Sequence, residues 1–302
     1  MKKLPILITV LSLIVGFSAC KKDRIEEEEK NEYAPINEYL DSKKQEEQEF
    51  EITDSSNDTI TGNQGTKLQV GKDCLMFPNG DSVAFPFTVK LVELYTPKDM
   101  MYWQIPTIAG GSILRTDGEI RVRAVKNGQD LVLRDYCFYG TQMPNAAPQN
   151  NMRKFYGLDN SSFVDFTDDV SSLGVTTTVG PNFSTVSYGY EGLIPRLGWV
   201  NCGVLAGSSA NSTISFTSET DHLQNVGIFI YFPNTKSVMQ VYNAVSGQIP
   251  NGSNVKIILM AMKSSGELYH YYTQTTINGH NTMEVELTPI SDADLTTLLN
   301  GL

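Results

Sequence analysis

Apolar and polar residues alternate along most of this chain with the two-residue period of β-strands, and the helical period is almost absent. Glu119-Ile120-Arg121-Val122-Arg123-Ala124 is the clearest case. Ile120, Val122 and Ala124 share one face of a half-buried strand, and Glu119, Arg121 and Arg123 point the other way, the Arg121 and Arg123 stripe reading as a solvated sheet face. Lys126-Asn127-Gly128-Gln129 then turns the chain into Asp130-Leu131-Val132-Leu133. Thr88-Val89-Lys90-Leu91 alternates likewise after a turn at Pro78-Asn79-Gly80-Asp81. This spacing predicts a first β-sandwich over residues 52–140. Residues 141–195 are rich in Asn, Ser, Gly and Pro, and read as a long connection or as short edge strands such as 174–179.

Residues 196–302 form a second β-rich unit. Ile228–Phe232 and Val255–Met262 are nearly continuous apolar runs, which suits central strands covered on both faces. Met283-Glu284-Val285-Glu286-Leu287 alternates as a later strand. One helical pattern intervenes, with Val238, Val241, Tyr242 and Val245 at i, i+3, i+4 and i+7, Asn234 or Thr235 as cap and Gly247 as stop. The chain closes on Ser291-Asp292-Ala293-Asp294 before Leu295, Leu298, Leu299 and Leu302, a short capped helix that docks on the last domain. The expected fold is mainly β: two β-sandwich-like domains, one amphipathic helix in the second, and a short C-terminal helix.

The first twenty residues break this pattern. Lys2 and Lys3 precede an apolar run from Leu4 to Phe17, which ends in Phe17-Ser18-Ala19-Cys20. The run is shorter than the ~20 residues a membrane-crossing helix needs, and it has the three regions of a secretory signal. Residues 1–20 therefore read as a lipoprotein signal peptide, with lipid attached to Cys20 as a membrane anchor. Phe17 stands where the lipoprotein box usually carries leucine. Residues 21–51 hold six basic and twelve acidic residues, including the run Glu26–Glu29. Such a stretch buries too little apolar surface to offset its ordering entropy, so it is expected as an acidic tether, with transient helix near residues 38–50. As a flexible coil it would span roughly 30 Å.

Charge and cysteine usage narrow the chemistry. The chain has 23 basic and 34 acidic residues, a net charge of −11, and no basic cluster in the sequence, which argues against nucleic acid as a partner. After lipidation Cys74, Cys137 and Cys202 remain, widely spaced and outside any C-x-x-C pair. Three buried thiols is the plainer expectation; one bridge with a spare thiol is the alternative.

Two resemblances add to this reading. Cys20-Lys21-Lys22-Asp23, running into the glutamates, resembles the acidic export signal of surface-exposed lipoproteins in the Bacteroidota, which implies display on the outer leaflet of the outer membrane. The second rests on Gly65–Val70, Pro78-Asn79-Gly80, Val89–Glu93, Asp99-Met100, Pro106-Thr107, Gly111-Ser112 and Thr116–Glu119. Together with Gly198-Trp199-Val200-Asn201-Cys202, these resemble uncharacterised Bacteroidota surface lipoproteins. The resemblance implies a ZU5-like N-terminal β-sandwich and a second domain opened by the Trp-x-Asn-Cys element. It carries no general activity. Gly203 departs from the family, in which an acidic residue often follows that cysteine.

Catalytic signals are absent from the sequence. His222, His270 and His280 are the only histidines, and no G-x-S-x-G or H-E-x-x-H occurs. Asp221 and His222 are adjacent, so their side chains diverge. Asp165, Asp168 and Asp169 lack the spacing of a calcium loop. Neither an enzyme, a cofactor nor a metal site is expected. The candidate binding residues are aromatic: Tyr269 and Tyr271 on one strand face, with His270 and Tyr272 opposite, and Tyr102 and Trp103 beside Pro106. The leading expectation is a non-enzymatic cell-surface binding or adhesion scaffold for a glycan or protein. The alternatives are a structural subunit of an envelope complex and, behind it, a hydrolase with an unrecognised site.

Overall fold

The computed structural model describes residues 29–55, 58–159, 164–207 and 211–302; the signal segment 1–20, Cys20 included, and the start of the tether lie outside these residues. Along the chain run α1 (Asn37–Lys43), β1 (Gln48–Ile52), β2 (Thr59–Thr61), β3 (Lys67–Gln69), β4 (Phe87–Leu94), α2 (Pro97–Trp103) and β5 (Ser112–Lys126). They are followed by β6 (Tyr139–Pro144), β7 (Arg153–Asp159), β8 (Val164–Thr167), β9 (Ser184–Val186), β10 (Gly189–Ile194) and β11 (Gly198–Leu205). The second unit contributes β12 (Gly227–Phe232), β13 (Ser237–Val241), β14 (Ser253–Met262), β15 (Leu268–Ile277), β16 (Thr288–Ile290) and α3 (Asp292–Asn300). Shorter strands and two 3-10 turns fill the connections.

The N-terminal unit is a sandwich of two antiparallel sheets. One has the order β1-β4-β5-β11-β7-β8 and the other β9-β10-β6-β3-β2. Between them Leu91, Ile120, Val122, Ala124 and Val200 meet Ile60, Leu68, Tyr139, Met143 and Tyr190. Burying each large apolar side chain contributes ~1.5–3 kcal/mol, so the alternation at Ile120, Val122 and Ala124 is what fixes the inward face.

The sandwich is larger than its expected 52–140 boundary. Of the two readings of residues 141–195, strands hold and a connection does not: they supply β7 to β10, with β8 and β9 at sheet edges, although 174–179 itself is not a strand, and β11 pairs with β5 inside the same sheet. The Trp-x-Asn-Cys element therefore lies within the first sandwich and does not open a second domain. β7 escaped the alternation rule because it is covered on both faces and carries Lys154 inside. Lys154 is 2 % exposed, donates to the Asn182 carbonyl at 3.1 Å, and sits over the Phe183 ring.

The second sheet unit has the order β13-β12-β14-β15-β16, all antiparallel. One face packs on a parallel strand pair, Ile214–Thr217 with Asn281–Glu284. The other face, with Phe229, Tyr231, Ile258 and Met260, joins Leu40, Met101, Leu295 and Leu299 of the three helices and Val92, Leu94, Phe155 and Trp199 of the first sheet. The two β-units thus share one continuous apolar core through a helical layer.

Local signals explain the helices. Thr96 caps α2 by accepting from the Asp99 amide, and Pro97 starts its first turn. Ser291 caps α3 in the same way, and Leu295 and Leu299 bury, as the sequence predicts. The helix expected at 238–245 is instead β13 and a turn. Val238, Met239 and Val241 are buried, and β-branched residues in a hairpin with β12 prefer the pleated surface.

Residues 29–51 are likewise not a solvated linker. Tyr33, Ile36, Tyr39 and Leu40 are buried, α1 occupies part of the stretch, and β1 pairs with β4 from Gln48 to Ile52. Four spaced apolar anchors were hidden in a highly charged composition. Two further expectations change. Cys74 and Cys137 form a disulfide with a Cα–Cα distance of 5.3 Å, and only Cys202 is a free, buried thiol among the described residues. Glu119 is fully buried rather than solvated. A β-bulge sets its position: Asn201 pairs with Glu119 and Gly203 with Thr116, so Asp117 and Gly118 together face Cys202. Gly118 adopts φ +132, and a Cβ there would lie 2.3 Å from the Tyr95 ring.

Candidate functional site

The segment before α1, the C-cap of α2, the turn entering β12 and the end of β13 together enclose a cleft of about 590 Å³. Its polar lining is almost entirely amide: Asn37, Gln104, Gln224, Asn225, Gln240 and Asn243, with Tyr242 beside them and no charged side chain. That is unusual in a chain with 19 % charged residues.

Each part is held by ordinary local chemistry. Gln104 ends α2 in the left-handed conformation, its amide bonded to the Met101 carbonyl. Asn225 donates from its side chain to the Tyr33 carbonyl at 3.0 Å, and its own carbonyl accepts from the Ile36 amide. The N-terminal segment and the turn into β12 thereby fix each other. At the far wall the Ala244 carbonyl accepts from the Phe216 amide at 2.8 Å, which anchors the loop after β13. Tyr242 donates to Gln240 Oε1 at 3.0 Å and leaves the amide NH₂ of Gln240 oriented. Burial pushes the Tyr242 phenol up to about 12, so it stays a protonated donor at physiological pH.

Two features mark this cleft out from a surface dent. The side chains of Asn37, Gln104, Gln224 and Asn243 make no hydrogen bond to the described chain, so their donors and acceptors remain available. Among the described residues eight non-glycine positions have positive φ, and four of them, Gln104, Asn225, Asn243 and Ala244, line this one cleft. Such conformations collect where a fold shapes a binding surface. The cavity is within the usual size range of small-molecule sites, roughly 300–1,000 Å³.

The aromatic candidates sit elsewhere. Tyr102 is 5 % exposed in the shared core, so it is a core anchor and not part of a binding loop. Trp103 is half-buried, packed edge-on against Trp199 at 5.7 Å with the Lys44 ammonium over its ring. Tyr269 is 9 % exposed against Tyr33, and Tyr271 packs beside it on the same core, so the two make no open platform. Tyr272 faces the opposite core, in keeping with the strand alternation. Trp103 does not line the cleft, although the next residue, Gln104, does. Asp221 is buried while its neighbour His222 is exposed, so the pair diverges as expected.

The amide residues carried no sequence signal: each is an ordinary loop residue, and they converge from positions 37, 104, 224, 225, 240 and 243. Comparison with protein-family models, curated proteins and solved structures found no match to this chain.

Proposed function

We propose that this chain is a non-enzymatic lipoprotein, anchored through Cys20 to the outer membrane and displayed at the cell surface, that binds a neutral saccharide in the amide-lined cleft. One observation carries the ligand class: six side-chain amides and a tyrosine surround a cavity that has no charge. A sugar hydroxyl both donates and accepts, and so does an amide, whereas a tyrosine ring offers an apolar face to sugar C–H groups. The signal peptide pattern supports the anchor, and the acidic residues after Cys20 support surface display.

The test is a glycan array of neutral oligosaccharides followed by titration calorimetry of the hits. Tyr242→Ala and Asn37→Ala each remove an exposed contact and are expected to weaken binding about tenfold, or ~1.4 kcal/mol. Lack of any neutral glycan on the array, or wild-type affinity in both variants, overturns the ligand assignment. Protease shaving of intact cells checks display, since an ectodomain that survives would lie on the periplasmic side.

A further inference from the structure

A second cleft, of about 410 Å³, opens in the first sheet beside β5. There β11 begins at Gly198 opposite Val122, and the short strand Gln129–Asp130 ends opposite Val125. The sheet is split between these two points. The floor is β5 from Arg121 to Arg123, one wall is 131–135, and the other is 195–198 with 173–175.

The chain contains seven arginines, and four of them line this cleft: Arg121, Arg123, Arg134 and Arg196. Only Asp130 and Asp135 oppose them in the lining, in a chain whose net charge is −11. The four guanidinium groups are not equally engaged. Arg123 is neutralised, with Asp130 bound through Nε at 3.0 Å and Nη2 at 3.1 Å, and Glu47 at 2.9 Å from Nη1. Arg121 lies 3.6 Å from Glu47 and over the Trp199 ring, and its buried Nε has no hydrogen-bond partner. Arg134 donates to a hydroxyl, Ser82 Oγ, at 3.2 Å. Arg196 donates to the Gly157 carbonyl at 2.8 Å.

A guanidinium carries five N–H donors, and the contacts named leave several of those on Arg121 and Arg134 to meet an anion in charge-assisted hydrogen bonds. The rest of the wall is apolar, with Leu133, Leu173, Val175 and Leu197 around the charged floor. We infer that this cleft is a binding site for a sugar-sized organic anion, its carboxylate or sulfate group held by Arg121 and Arg134 and its body resting on the leucine-lined wall. The site shares no residue with the amide-lined cleft and stands whether or not that cleft takes a saccharide.

The test is titration calorimetry of the folded ectodomain with glucuronate, glucose 6-sulfate and inorganic sulfate, with glucose as the neutral control. Glucuronate or glucose 6-sulfate is expected to bind saturably, more weakly as salt rises, with inorganic sulfate competing, whereas any heat from glucose belongs to the amide-lined cleft and is the same in wild type and Arg134→Gln. Arg121→Gln and Arg134→Gln are each expected to weaken binding about tenfold. Lys98→Gln, which removes a positive charge outside the cleft, should leave binding unchanged. Arg134 is held through Ser82 at the surface, so its variant keeps the test available if Arg121→Gln fails to fold. No saturable binding of either organic anion up to about 10 mM, or wild-type affinity in Arg134→Gln, overturns the assignment. An equal loss in Lys98→Gln would reduce the effect to net charge and overturn it as well.

Discussion

The phenol of Tyr33 donates a 2.6 Å hydrogen bond to Oδ1 of Asp221, 188 residues further along the chain. Asp221 also accepts from the Leu287 amide at 3.0 Å, from Thr220 Oγ1 at 2.9 Å and from Asn31 at 3.2 Å. One buried carboxylate therefore ties the N-terminal segment to the second β-unit, and that segment in turn forms a wall of the amide-lined cleft.

Removing this carboxylate leaves the Leu287 amide and the Tyr33 hydroxyl unpaired. Asp221→Ala is expected to destabilise the protein by ~2–4 kcal/mol and to expose residues 29–36 to proteolysis before the remainder of the fold. Urea denaturation and timed trypsin digestion check both parts. Burial by itself would raise the Asp221 carboxyl, but the bonds from Leu287, Tyr33, Thr220 and Asn31 outweigh it and hold the group below the usual carboxylate range. Its folded pKa is depressed, so its contribution is present above the unfolded value near pH 4 and is lost as pH falls through the folded one. The wild-type melting temperature should drop below about pH 4 more steeply than that of Asp221→Asn.

Glu119 has the opposite sign. Burial pushes its carboxyl from 4.5 up to about 8, offset only in part by the 2.7 Å hydrogen bond from Asn201 Nδ2. Its Oε2 and the Oδ1 of Asn201 are buried acceptors without partners, and a proton on the carboxyl supplies a donor where ionisation would leave none. With the folded pKa raised, the stabilisation is full below 4.5 and is lost as pH rises through about 8. Glu119→Gln keeps the shape, cannot ionise, and should flatten the stability profile across that window. A chemical-denaturation series in pH reads this directly; an unchanged slope in the variant would refute the assignment to Glu119.

The Cys74–Cys137 bridge closes a sequence separation of 63 residues around β4, α2 and β5. Chain-entropy arguments put its contribution at about 4 kcal/mol. Cys74→Ser with Cys137→Ser should lower the denaturation midpoint accordingly. Cys202 is buried in the sandwich core, and burial pushes its thiol well above the usual range, so it should resist alkylation while the protein is folded. Peptide mapping after iodoacetamide treatment of the native, unreduced protein should find Cys74, Cys137 and Cys202 all unalkylated.

What was legible followed from how many faces of a strand are buried. One-sided strands declare themselves by alternation, which is why Ile120, Val122 and Ala124 were placed correctly. Central apolar strands such as Ile228–Phe232 declare themselves by composition. β7, with Lys154 inside and apolar residues on both sides, satisfies neither rule, and the valines of 238–245 satisfy the helical rule by accident. The amide-lined cleft left no trace, and of the arginine-lined one only the Arg121 and Arg123 stripe showed, read as a solvated face, since an amide on a loop or an arginine on a strand has many ordinary uses.

The amino-acid order by itself determined a mainly β chain and the capped helix at its end, while a lipoprotein leader ending at Cys20 stands as what its first residues predict. Those are local matters of period, cap chemistry and hydropathy. Only the tertiary structure decided that both β-units share one core, that Glu119 is buried, that Cys74 meets Cys137, and that six amides and four arginines gather in separate clefts. Each of these depends on contacts between residues far apart in sequence. Pairing across a sheet and packing between layers select such contacts, and no short window of sequence contains both partners.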